Sequence, residues 1–379
     1  MRFHTVKHVL FWLGFLLSGE LSAAPPPDLV RVEWDQALLT APFDADVWNR
    51  KHEVASALAQ NISYLNSPAA EAAYARAQAA PFTATAVRRS LLRFRELLLA
   101  SRTEREFRHT LRSEFSLYRP RGHDGYGRVH FTGYFRPTYR ASRVRTATFR
   151  YPIYRRPPNF ASWRAPHPTR LSLEGYDGTG NPRGPLKGRE LAWLASRYEA
   201  FMIHVQGSAL LDFVGGGRMA VGFAGATDYP FRGFVDSCLE RKPASLTIEQ
   251  FFRTNPRELD RCLAWNNRFI FFEPKVSSEP IGSLGVPVMA RWSVATDKGR
   301  LPPGALAIAR ANLPRLVPGK GVQLARSQML VLDQDSGGAI QGSGRADLFM
   351  GTGPEAERMA RAIYDSGDLF YLILRKERL

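Results

Sequence analysis

Three rhythms of apolar and polar residues succeed one another along the chain. The first is an unbroken apolar run, Val9-Leu10-Phe11-Trp12-Leu13-Gly14-Phe15-Leu16-Leu17, behind the cationic Arg2 and Lys7. Small residues Ser22, Ala23 and Ala24 follow, directly before Pro25-Pro26-Pro27. Positive start, short apolar run and small-residue cleavage site predict a secretory signal over 1–24, too short to span a bilayer as a stable helix. Later segments show no uninterrupted apolar stretch of spanning length, and no Cys near the cleavage site offers a point for lipid attachment. An exported, periplasmic protein without a transmembrane segment is expected.

The second rhythm, over 52–118, has helical spacing. Ala is dense from Ala69 to Ala80, and Leu91, Leu92, Phe94, Leu98 and Leu99 sit on a cationic helix. Thr103-Glu104-Arg105-Glu106 has the spacing of a capping box, and Phe107, Leu111 and Phe115 then recur every four residues. From His130 the texture changes to short β-branched and aromatic runs broken by Gly and Pro. Val129–Phe135, Thr146–Tyr154, Phe201–Val205 and Arg268–Phe272 read as strands, while Leu191–Phe201 and a stretch near Phe231–Leu239 read as helical. The last hundred residues repeat the β texture at Val286–Val294, Ala305–Ala311, Gln328–Leu332 and Leu369–Leu374. Regularly spaced short strands with turn signals argue a sandwich or a barrel.

Composition narrows the class. With 379 residues, 44% hydrophobic and 23% charged, the chain is long enough for two domains with real cores. The net charge of +17 favours anionic partners: nucleic acid, an anionic membrane or a cell-wall polymer bearing carboxylates. Eight of the 52 cations are Lys, so the excess is mostly Arg, which suits bidentate carboxylate contacts or reflects a genome that writes Arg for Lys. Nucleic-acid binding rests on charge alone, because no aromatic-plus-basic motif accompanies it. Cys238 and Cys262 are the two cysteines, able to pair after export but too few for a disulfide framework or a closed zinc site. With the eight His scattered, a metal enzyme is disfavoured.

Patterns for a nucleophile elbow, a P-loop or a zinc protease are missing. Asp333-Gln334-Asp335-Ser336-Gly337-Gly338 fails as a calcium loop, since its fifth position is Gly337 and its twelfth is Gly344. What remains is a series of polar and glycine motifs: Thr132-Gly133-Tyr134, Gln206-Gly207-Ser208, Gly282-Ser283, and three aspartates within 51 residues, Asp297, Asp335 and Asp347. Each aspartate stands at the edge of an apolar segment beside small residues that would let a polymer approach.

With Tyr151-Pro152-Ile153-Tyr154-Arg155-Arg156-Pro157-Pro158, Asn267-Arg268-Phe269-Ile270-Phe271-Phe272-Glu273-Pro274, Leu301-Pro302-Pro303-Gly304 and Gly351-Thr352-Gly353-Pro354-Glu355-Ala356, these motifs closely resemble the lytic murein transglycosylase A (MltA) family. The aspartate trio resembles the 3D domain, named for three aspartates. This resemblance implies a mainly β protein with an α-helical N-terminal region: a double-psi β-barrel domain with a second β domain inserted, and a groove between them. The expected division is a helical region and first barrel part over 25–137, an inserted β domain over 138–277, and the second barrel part over 278–379. It also implies cleavage of the β-1,4 bond between N-acetylmuramic acid and N-acetylglucosamine, leaving a 1,6-anhydromuramoyl end.

The catalytic acid implied is Asp347. A carboxylic acid that protonates a glycosidic oxygen must keep its proton near neutral pH, and burial against Leu348 and Phe349 would favour this. One carboxylate suffices when the sugar's own 6-hydroxyl attacks the anomeric carbon, and no metal or organic cofactor is required. Asp297 and Asp335 are read as tuning Asp347, stabilising developing charge or fixing turns, the structural role being favoured for Asp335. Thr132, Gly133, Tyr134, Gln206, Gly207 and Ser208 are expected to line the groove and bind peptidoglycan glycan strands, with other cell-wall enzymes as further candidate partners. Two departures from the family stand out: the lipid-anchor Cys is missing, and Arg361 follows Ala360 where a Gly is expected. Two alternatives stay open, a two-Asp cell-wall glycoside hydrolase and a non-catalytic wall polysaccharide-binding protein.

Overall fold

A computed structural model describes residues 28–35, 46–77, 82–233 and 247–375. The expected signal segment, Cys238 and its pairing, and most of the helix expected near 231–239 lie outside the described residues.

The N-terminal helices are α1 (Asp46–Asn49), α2 (Lys51–Leu65), α3 (Pro68–Arg76), α4 (Ala84–Ala100) and α5 (Glu104–Glu114), preceded by strand β1 (Leu29–Val32). In α4 the buried positions Val87, Leu91, Phe94 and Leu98 follow helical spacing, so one stripe leaves water, whereas Leu92 and Leu99 face solvent. Fully burying a side chain such as Leu91 or Phe94 contributes roughly 1.5–3 kcal/mol. Thr103 caps α5 by accepting the Glu106 N–H at 3.2 Å. The return half of the capping box is displaced by one residue, since Glu106 Oε2 accepts from the Arg102 N–H at 2.8 Å.

The strands that follow are β2 (Phe115–Pro120), β3 (Arg128–Arg136), β4 (Thr138–Ser142), β5 (Tyr151–Tyr154), β6 (Glu190–Leu194), β7 (Ser208–Phe213), β8 (Arg218–Ala226) and β9 (Ile270–Lys275). After them come β10 (Ser293–Ala295), β11 (Leu306–Val317), β12 (Gly321–Asp335), β13 (Arg345–Thr352) and β14 (Tyr364–Leu374). Six of them close on themselves in the order β14-β11-β12-β10-β13-β3, with β3 returning to β14, while β2 and β1 extend the sheet beyond β14. Two pairs in this barrel, β3–β13 and β10–β12, are parallel, and the rest are antiparallel. This is the double-psi barrel that the resemblance implied, assembled from strands far apart in sequence.

The second sheet has the order β5-β6-β4-β7-β8-β9, and a parallel bridge between Arg155 and Phe272 draws its two edges together. Helices α6 (Arg170–Glu174), α7 (Arg197–Gln206), α8 (Ile248–Thr254) and α9 (Pro256–Trp265) accompany it, and α10 (Pro354–Ala362) returns to the barrel. The run Phe201–Val205, expected as a strand, is the body of α7, and Leu191–Leu194, expected as helical, is strand β6. Short buried apolar runs have no period that separates the two states. The deciding signals were the Ser196 cap, whose Oγ accepts the Tyr198 N–H at 3.2 Å, and Gly207, which ends the helix at φ +73°.

The N-terminal helices brace the barrel near the 3D motifs. Asn61 donates to the Gly304 carbonyl at 3.0 Å and accepts from Gln334 Nε2 at 2.7 Å, while Tyr74 donates to the Pro303 carbonyl at 2.8 Å. Buried amides satisfied in this way hold the end of β12 in one place.

Candidate active site

Ladder register alone brings the key side chains together. On the parallel pair β3–β13, Thr132 is opposite Asp347, Gly133 opposite Leu348 and Tyr134 opposite Phe349. On the other side of β13, Asp347 is opposite Ala295 of β10, and Ala295 is in turn opposite Asp335 of β12. Asp335 and Asp347 therefore flank one residue, with Cα atoms roughly 10 Å apart by strand spacing. Both border a cavity of about 720 Å³ between the barrel and the inserted sheet.

Asp347 is half-buried and borders this cavity. Thr132 Oγ1 donates to its Oδ1 at 2.7 Å. Burial pushes the Asp347 carboxyl up to about 6, with Asp335 adding to the rise, against the lowering effects of Thr132 and Arg345. A carboxyl poised there holds its proton on roughly a tenth of molecules at neutral pH and exchanges it readily.

Asp335 is tied down on both oxygens. Tyr134 Oη donates to Oδ2 at 2.8 Å, and the backbone N–H groups of Ser283 and Ser336 donate to Oδ1 at 2.8 Å each. Burial nevertheless raises its pKa, the three donors opposing that rise. Tyr134 is itself held well above the ordinary phenol value by burial and by Asp335, so it remains a donor, and its ring leans on Phe349 with centroids 5.1 Å apart.

Gly133 has a steric reason to be Gly. A Cβ there would stand 2.7 Å from Cα and 2.8 Å from O of Ala360, the backbone of α10 packed behind the strand. Arg361, at the position where a Gly is expected, donates to Glu357 at 2.6 Å and to Tyr198 Oη of α7 at 3.1 Å. It links the two domains instead of disturbing the packing.

The opposite wall comes from the inserted domain. Gln206 Oε1 accepts the Phe135 N–H at 3.0 Å, joining the end of α7 to β3, while Gly207 turns the chain and Ser208 begins β7. All three border the cavity together with Thr132, Gly133 and Tyr134. Asp297 does not. Its carboxylate accepts the N–H groups of Gly299 at 2.9 Å and Gly342 at 2.7 Å, closing turns away from the cavity.

Several lining residues were not singled out by sequence reasoning, among them His204, Arg268 and Ser283. His204 Nδ1 accepts the Ile270 N–H at 3.1 Å, and burial, with Arg170 adding, keeps the ring neutral. A single His inside the apolar run Phe201-Met202-Ile203-His204-Val205 was the available signal. Ser283 contributes a backbone N–H, which leaves no mark in side-chain patterns. No group of His, Cys, Asp or Glu with metal-ligand geometry occurs among the described residues.

Residues 130–273 match the family model for the MltA specific insert domain, and 292–373 match that for the 3D domain. Membrane-bound lytic murein transglycosylase A of Escherichia coli (strain K12) is 32% identical over 248 residues, covering 63% of this chain and 64% of that protein. The chain thus aligns with just under two thirds of that curated relative. The fold is shared with a membrane-bound lytic murein transglycosylase from Agrobacterium tumefaciens, with TM-score 0.70, 24% identity, and 92% and 98% of the two chains covered. The crystal structure of E. coli MltA with bound chitohexaose is likewise similar, with TM-score 0.65, 26% identity and coverage of 92% and 94%.

Proposed function

Because this chain belongs to the MltA family, joining its specific insert domain to a 3D domain, we propose that it is a peptidoglycan lytic transglycosylase. It cleaves the β-1,4 bond between N-acetylmuramic acid and N-acetylglucosamine and leaves a 1,6-anhydromuramoyl end. The observation that carries this reading is one raised, half-buried carboxyl, Asp347, facing a cavity between two β domains. Binding of chitohexaose by the E. coli relative supports a glycan as the occupant.

Asp347 acts first as acid. Thr132 occupies Oδ1, so Oδ2 carries the proton to the leaving oxygen. The resulting carboxylate then takes the proton of the muramoyl 6-hydroxyl as that oxygen attacks C1. Attack within one sugar residue needs no captured water, and holding O6 over C1 supplies much of the acceleration. Asp335 contributes negative potential near the developing oxocarbenium charge and anchors Tyr134 on the cavity wall. Three donors already occupy its oxygens, which favours this role over activation of a water. Gln206 and Ser208 offer polar groups from the opposite wall.

The same reading makes the protein exported and periplasmic, acting in cell-wall turnover, with the domain division at 137/138 and 277/278. No helix among the described residues is long and apolar enough to cross a membrane. Digestion of sacculi in heavy-oxygen water tests the chemistry: muramoyl ends should be anhydro and unlabelled. Labelled reducing ends would mean a hydrolase, and binding without release of fragments a wall-binding protein.

A further inference from the structure

A second cavity of about 460 Å³ opens beside the first, and the two share Arg345 and Ala339. Its position follows from the barrel ladder. Asp347, Thr132 and Tyr364 form one row across β13, β3 and β14, and Arg345, His130 and Ser366 form the row two residues away. Side chains two residues apart on a strand share a face, so Arg345 and His130 stand on the same face as Asp347, about 7 Å along the strands. Tyr364 is 79% exposed at the junction of the rows, with its ring edge-on to His130 at 4.5 Å.

This second cavity is cationic. The guanidinium groups of Arg345 and Arg300 line it beside the imidazoles of His123 and His130, against the single carboxylate of Asp28, which Arg300 already pairs at 3.2 Å, and burial with Arg345 nearby favours the neutral form of His130. The Arg345 guanidinium has no hydrogen-bond or ion-pair partner among the described residues, and a planar fork of N–H donors left open is suited to a carboxylate. The wall is tightly built: a Cβ on Gly344 would lie 2.1 Å from the His123 backbone nitrogen, so only Gly lets the 122–123 loop close against Arg345.

We propose that this cavity binds the carboxylate-bearing peptide stem of the muramoyl residue being cleaved, with Arg345 as the principal anion contact. The inference rests on the transglycosylase reading, which puts a muramoyl ring at Asp347 and hence its peptide substituent within reach of a site about 7 Å away. A single charge-assisted contact of this kind is expected to change affinity about tenfold.

The test is binding by the full-length protein carrying Asp347→Asn, which cannot consume its ligand. The probes are soluble glycan strands with intact stems, strands stripped by an amidase whose newly exposed lactyl carboxylates are capped as amides, and stem-bearing strands whose stem carboxylates are chemically amidated. Intact stems should bind about tenfold more tightly than either other probe. Adding Arg345→Gln should remove that increment and leave affinity for stripped strands unchanged, while Arg345→Lys should restore part of it. Equal affinity for intact and stripped strands would overturn the proposal, as would an equal loss on both probes in the Arg345→Gln protein. Amidated stems binding as well as intact ones would overturn the carboxylate assignment. Binding to none of the three would overturn the wall-glycan reading itself and this proposal with it.

Discussion

The barrel wall of the cavity and the wall supplied by the inserted domain are held by different physics. On the barrel side, Asp347, Thr132, Tyr134 and Asp335 come from β13, β3 and β12, and ladder hydrogen bonds set where each backbone lies. Their side chains then bond to one another or to nearby backbone N–H groups. On the insert side, His204 and Gln206 come from the last turn of α7, outside any ladder, and Ser208 is the first residue of β7, paired with Gly222. That wall is braced by buried charges. Arg170 and Arg197 both pair with Glu174, at 3.2 and 2.8 Å, Arg197 also pairs with Asp260, and Arg170 donates to the Asn266 carbonyl at 2.7 Å. A ladder fixes an acid relative to its neighbours at little cost in uncompensated charge. An ionic brace holds irregular backbone but fails badly when one member is lost.

The largest effect should come from the barrel side, where Asp347→Asn removes the proton donor and keeps its shape. Muropeptide release should fall roughly 10³-fold with the fold intact. The same substitution should also alter stability in a pH-dependent way. The folded carboxyl holds its proton up to about 6, the unfolded one only to about 4, so wild-type stability falls as pH rises through that window. The Asn protein lacks this loss and should be more stable than wild type by about 1–3 kcal/mol at pH 7, and nearly equal at pH 4. Denaturant titrations at the two pH values measure it, and a wild type as stable as the variant at pH 7 would contradict the raised pKa.

On the insert side, Glu174→Gln leaves the buried Arg170 without a carboxylate partner and Arg197 with Asp260 alone. The expected loss is about 3–5 kcal/mol. Because the brace is local, proteolysis or hydrogen exchange should report opening of the inserted domain before the barrel. Simultaneous loss of both domains would remove the contrast drawn here.

A smaller effect is expected at the seam within the barrel. Gly133→Ala forces β3 away from the Ala360 backbone and should lower stability by about 1–3 kcal/mol, with a matching loss of activity as Thr132 shifts from Asp347. The smallest is Thr132→Val. It removes the donor that favours the ionised carboxylate, so the limb where activity is lost on raising pH through about 6 should move to higher pH. The maximal rate should change less than tenfold, and a pH–rate profile distinguishes this from simple damage.

Much of the barrel was legible in the chain because its strands carry strong local signals. Val129–Phe135, Gln328–Leu332 and Leu369–Leu374 fall within strands, Ala305–Ala311 does so from Leu306 onward, and the helices between Lys51 and Glu114 follow their apolar spacing. The motifs also named Thr132, Tyr134, Gln206, Asp335 and Asp347, which the fold gathers around one cavity. Tertiary structure decided the rest. It exchanged the states expected for Leu191–Leu194 and Phe201–Val205, since a short buried apolar run takes the conformation its caps and neighbours allow. It also separated the three aspartates. All three stand at the edges of apolar segments and look alike in sequence, yet Asp297 closes turns with Gly299 and Gly342 while Asp335 and Asp347 flank Ala295 at the cavity. Register between strands more than thirty residues apart is set by packing of the whole barrel, so no local pattern carries it.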